Sequence, residues 1–240
     1  MRKNIVAAIA VLFLLPAAFA SATPETPAST GNSPYPKMAP LDRYLIADQN
    51  AEIKLARTAA PASISDGAEV MVLGRNGYTT AVKGKNGFLC LIERSWANPT
   101  DDAEFWNPSL RAPICFNRAA AETFVPIYLM KTKLVLAGKS PNDVFKATTL
   151  AFSTHQLPAL APGAMCYMMS KQQYLNDSGK SWHPHLMYFA PPGAEKSWGA
   201  NLPGSPVIAA DDPQERTTIM MVVVHKWSDG TPAPLEHALK

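Results

Sequence analysis

Apolar and polar positions fall into blocks along the chain, and the blocks outline its elements. Residues 69–73, 78–83 and 88–93 are short runs rich in aliphatic, β-branched and aromatic side chains, the composition of strands. Asn76-Gly77 and Asn86-Gly87 separate them, and both dipeptides tolerate the positive φ of tight hairpin turns. The pattern predicts three antiparallel strands in a meander. Residues 165–170, 185–190 and 217–227 repeat the strand signature, and the last reads as a long central strand. Helical patterning lies elsewhere. Residues 48–60 place Ile46, Ile53, Ala56 and Ala60 on one face, with Asp48 suited to cap the start and Pro61 to stop it. Residues 117–123 look helical, whereas 127–136 suit either a strand or a helix opened by Pro126 and stopped by Gly138. Ser140-Pro141-Asn142-Asp143 opens a helix to about Ser153, because Ser140 caps, Pro141 fits the first position and Asp143 faces the helix dipole.

Strands early and late with helices between them predict one α+β domain. Its sheet is mainly antiparallel, made of the N-terminal three-stranded meander plus C-terminal strands, with two to four helices. Residues 157–163 form a Pro-rich connector, and 191–206 an ordered surface loop with Trp198 tucked under it. No linker divides the chain and no internal repeat is present.

The N-terminus supplies an address. Arg2 and Lys3 precede an apolar run of about a dozen residues, and Phe19-Ala20-Ser21-Ala22 ends on small residues. That is the layout of a secretory signal peptide over residues 1–22, cleaved before Thr23. A membrane anchor would need about 20 apolar residues. Residues 23–40, rich in Pro, Thr, Ser and Ala, read as a flexible lead-in, which leaves 41–240 as the globular domain. Without the leader the formal charge falls from +3 to +1, with no Lys/Arg cluster, so nucleic acid is not an expected partner. No later apolar run reaches membrane-spanning length. The expectation is a periplasmic or extracellular protein.

Three cysteines fit that address: Cys90, Cys115 and Cys166. An oxidising compartment favours one bridge and leaves one thiol. Cys90 and Cys115 sit in matching apolar runs and are the preferred pair, while pairings with Cys166 stay open.

Candidate chemistry is sparse. In extended backbone His183 and His185 point to one side, the start of a transition-metal site. Third ligands could come from Asp177, Glu195, His155, His225 or Cys166, none at a recognisable spacing. Cys166 beside an imidazole would make a thiolate pair, but its Met and Tyr neighbours read as core. Ser205 lacks the Gly-x-Ser-x-Gly elbow. Glu93, Asp101, Asp102 and Glu104 near Trp96 and Trp106 have the residue types of a carbohydrate site, and equally those of an ordinary loop. Trp96, Trp106 and Trp198 are the candidate ligand contacts.

Segments 52–61, 108–115, 167–171 and 198–206, the last ending Leu202-Pro203-Gly204-Ser205-Pro206, resemble a group of exported bacterial proteins of no assigned function. The likeness spans most of residues 48–234 and implies an exported single domain, with no catalytic residues to carry over. The reading that emerges is a binding module for a small molecule or an envelope protein, its cofactor unknown. The alternative is a metal-dependent enzyme or metal binder centred on His183 and His185.

Overall fold

The structure, a computed structural model, describes residues 33–233. Its strands are β1 (Glu69–Gly74), β2 (Gly77–Val82), β3 (Leu89–Glu93), β4 (Ala112–Phe116), β5 (Met165–Met168), β6 (His185–Ala190), β7 (Val207–Asp212) and β8 (Thr217–Val223). They form one sheet in the order β2-β1-β3-β4-β5-β6-β8-β7. Every neighbouring pair is antiparallel except β1 and β3.

That exception corrects the expected meander. Asn76-Gly77 does turn β1 into β2, with Gly77 at φ 111°. The second connection instead crosses the start of β1, where a Cβ on Gly84 would collide with the Glu69 backbone nitrogen. Lys85 N–H donates to Gly67 O and Glu69 N–H to Phe88 O, both at 2.8 Å. The crossing lays β3 parallel to β1 and leaves β2 at the edge. The side chains explain the choice. Leu91 on one face of β3, and Cys90 and Ile92 on the other, are all fully buried. A strand apolar on both faces belongs inside a sheet, whereas β2 exposes Thr79 and Thr80.

The helices are α1 (Gln49–Arg57), α2 (Ala62–Ser65), α3 (Arg118–Thr123), α4 (Val125–Leu136) and α5 (Pro141–Ser153), one more than expected. The caps read from sequence are made: Asp48 accepts from Asn50 N–H, and Ser140 with Asp143 closes a capping box. The ambiguous 127–136 segment is helical. Its apolar residues run around much of the helix because α4 packs against α3, α5, β2 and the short 3-10 turn Ser95–Ala97.

Two cores flank the sheet. On one face Ala56 of α1 meets Val70, Cys90, Ile92 and Cys115. On the other, Leu91, Ile114, Phe116 and Cys166 meet Tyr128 of α4 and Val144 of α5. Cys90 and Cys115 are cross-strand partners joined by a disulfide, with Cα atoms 4.0 Å apart. Cys166 is a buried free thiol.

Other expectations need adjustment. β7 had no prediction, β8 ends at Val223 and lies next to the edge, and Trp198 is 44 % exposed rather than tucked away. Contacts also reach back beyond residue 41. Tyr35, Met38 and Ala39 pack on the core, and Tyr35 Oη donates to Asp177 at 2.5 Å. The expected signal peptide, residues 1–22, lies outside the described residues. Among the described residues no helix is long and apolar enough to cross a membrane.

Candidate functional site

Helices cover only part of the sheet. α3 packs on β4 and β5, and α4 on β2, but neither packs extensively on β6 or β8. Met187 of β6, with Ile219 and Met221 of β8, share the helix-side face yet remain partly accessible in mid-sheet. They floor a cavity of about 410 Å³, a size typical of small-molecule sites. Tyr128 of α4 and Phe124, between α3 and α4, line it, as do Asn98, Pro99 and Trp182.

Three carboxyl groups line this apolar space: Glu93, Asp212 and Glu215. Glu93 ends β3. Strand alternation puts it on the same face as Leu89 and Leu91, so a carboxyl occupies a core-facing position. Protein atoms crowd around it, and burial together with the charge of Glu215 pushes its carboxyl up to about 8. The surface it retains faces the cavity. No hydrogen bond to its side chain is formed among the described residues.

Its neighbours are better satisfied. Lys131 of α4 donates to Ala97 O and Asn98 O at 2.9 Å and to Glu215 Oε1 at 3.1 Å. Those three bonds use all of its protons. They also tie α4 to the 97–99 segment and to the β7–β8 turn. Asp212 Oδ1 accepts from the Gln214 and Glu215 backbone N–H groups. Gln214 in turn accepts from Thr100 N–H at 2.9 Å, so the turn and the 97–102 segment form one wall. Burial raises the Glu215 carboxyl as well, opposed by Lys131.

A second buried ion pair fixes the end of β3. Arg94, fully buried, meets Glu52 of α1 at 2.8 Å and donates to Tyr44 O at 2.7 Å and to Ile92 O. Arg94 N–H donates to Tyr128 Oη at 2.7 Å. Tyr78 Oη donates to Ile92 O, which leaves Tyr128 to donate to Tyr78 at 2.9 Å. Glu93 is therefore held between two rigid charged networks.

The residues singled out from sequence are scattered. His185 lines the far wall of the same cavity. Its Nδ1 lies 2.7 Å from His183 O, a carbonyl that only accepts, so Nδ1 carries the proton and Nε2 is an acceptor. Burial pulls its imidazole down to about 4, which keeps it neutral. His183 precedes β6, and both imidazoles lie edge-on to Trp182, with ring centroids 6.0 Å and 4.7 Å from it. Among the described residues no three His, Cys, Asp or Glu side chains converge to hold a metal. Trp96 is fully enclosed and donates to Thr132 at 2.8 Å, so it offers a ligand no surface. Trp106 lines a separate, smaller pocket of about 220 Å³ with Asp101 and Asp102, and Trp198 leans on Tyr188 at the opposite face of the sheet. Burial pushes the Cys166 thiol well up, which makes it a poor nucleophile. Met187 and Met221 face the cavity rather than the closed core.

Lys131, Asp212, Glu215 and Tyr128 were missed, and Glu93 was noticed only as a loop acid. A readable signal did exist for Glu93, since it falls on the inward register of an apolar strand. Glu215 and Lys131 carry no such signal, because a turn and a helix far apart in sequence bring them together. Comparison with known proteins returns no matching family model, no similar curated protein and no similar solved structure.

Proposed function

We propose that the protein is an exported binding module for an apolar small molecule, which occupies the cavity between α4 and the β5-β6-β8 face. The observation that carries this reading is a mid-sheet apolar floor left uncovered by helices, with an unpaired carboxyl at one end. Folding alone favours covering such a floor, because exposed apolar surface costs about 25 cal/mol per Å². Export is supported by the Cys90–Cys115 bridge, a bond that persists in oxidising compartments. The metal reading has less behind it, since among the described residues no three His, Cys, Asp or Glu side chains converge on one point.

The test is titration with the neutral fluorophore N-phenyl-1-naphthylamine. The expected result is saturable enhancement at one site per chain, abolished by Met187→Trp, which fills the floor, in a variant with an unchanged circular dichroism spectrum. Absence of enhancement, or enhancement indifferent to Met187→Trp, refutes the reading.

A further inference from the structure

The cavity's polar groups restrict what its occupant can be. No lysine or arginine lines it. Lys131, just behind the wall, has spent its protons on two carbonyls and Glu215. Asp212 is engaged by its own turn. Glu93 is left as an enclosed carboxyl, aimed into an apolar space, without a partner among the described residues. At the other end His185 presents an unprotonated Nε2. Both ends thus offer acceptors, and the charged groups of the lining are all acidic. An anionic occupant would meet like charge at Asp212 and, once the Glu93 proton has left, at Glu93. Tyr128 and Trp182 also line the cavity, and aromatic rings attract cations that reach their faces.

We propose that the occupant is an organic cation, a protonated amine on an apolar body, whose ammonium group is seated on the Glu93 carboxylate. This rests on the binding reading above and names its ligand class. Glu93 lies on β3 and His185 on β6, three strand spacings away, or about 14 Å at 4.8 Å each. That leaves room for a body several carbons long. The groups facing Glu93 are Glu215 from the β7–β8 turn, Lys131 and Tyr128 from α4, Tyr78 from β2, and Cys166 from β5. Of these only Lys131 is cationic, and it is already paired. Binding an ammonium requires the carboxylate form, so the Glu93 proton leaves to solvent as the cation arrives. Affinity then falls by up to about tenfold per pH unit below about 8.

The experiment compares 4-phenylbutylamine, 4-phenylbutanol and 4-phenylbutyrate, matched in body and different in head group, by calorimetric titration of the full chain. The expected order has the amine about 10- to 100-fold tighter than the alcohol, the range of a charge-assisted hydrogen bond, with the acid weakest. Glu93→Gln should bring the amine down to about the affinity of the alcohol. Amine binding by the wild type should release a proton, seen as a heat that differs between phosphate and Tris buffers. An alcohol or acid as tight as the amine, or no proton release, overturns the proposal. If the three ligands fail while the neutral fluorophore still binds at Met187, the cation falls and the binding module stands. If the fluorophore fails too, both fall.

Discussion

Removing the carboxylate of Glu52 tests how the site is held. The Arg94 guanidinium is fully enclosed, and Glu52 Oε1 lies 2.8 Å from it. The same oxygen accepts from Leu73 N–H at 3.1 Å. Glu52→Ala strands both donors, leaving Arg94 only the carbonyls of Tyr44 and Ile92. Breaking a buried pair from one side costs about 3–5 kcal/mol. A domain commonly holds only about 5–15 kcal/mol in total. At about 2–4 °C per kcal/mol for a chain of this size, the melting temperature should fall by about 6–20 °C. Urea unfolding followed by the fluorescence of buried Trp96 measures the loss directly. The double variant Glu52→Leu with Arg94→Met removes charge and partner together. It should recover part of the loss, because a buried pair contributes little net stability over apolar side chains. A cost below about 1 kcal/mol for Glu52→Ala, or a double variant worse than the single one, would refute the reasoning.

Three further outcomes are expected. Reducing Cys90–Cys115, which are 25 residues apart, should cost about 3–4 kcal/mol of chain entropy; an unchanged urea midpoint in reductant contradicts this. Burial holds Glu93 at about 8 against 4.5 in an unfolded chain. The folded state keeps a proton that the unfolded state has lost, so stability should fall as pH rises through that window, by up to about 1.4 kcal/mol per unit. His185, drawn from 6.5 to about 4, acts oppositely and loses stability only as pH drops below 6.5. Between pH 6.5 and 8 the decline should be shallower in Glu93→Gln; equal slopes in pH-dependent urea melts would refute it. Among the tryptophans, Trp96→Ala should cost about 3–5 kcal/mol and exposed Trp198→Ala under about 1 kcal/mol, and thermal melts showing the reverse order would contradict the packing.

Local chemistry was legible where a few adjacent residues decide the outcome. Ser140, Pro141 and Asp143 set a helix start by themselves, and Asn76-Gly77 sets a hairpin. The disulfide was legible because two apolar strand segments of matching length can pair in register. The second Asn-Gly misled, since turn propensity does not reveal which neighbour a strand will choose. That choice was made by burial of both faces of β3, a property of the assembled sheet. β7 went unseen because Val207–Asp212 is short and ends on two acids, one of which faces the cavity. The site itself depends on Glu93, Lys131 and Glu215 converging from three elements. None of the three carries a local motif.

If Glu93 exists for a ligand, the empty protein should be better off without it. A crowded carboxyl with no partner costs stability when charged, whereas an apolar side chain of similar volume would extend the apolar lining to which Ile114 belongs. Sites that bind are often strained in this way, and relieving them raises stability at the expense of function. Glu93→Met should therefore raise the urea midpoint at pH 8.5, where the wild-type carboxyl has lost its proton. The same variant should lose amine binding and retain the neutral fluorophore. Were Glu93→Met less stable than the wild type at that pH, the carboxyl would be a structural strut with a protein partner. The acceptor-lined cavity would then have no vacant anion to offer a cation.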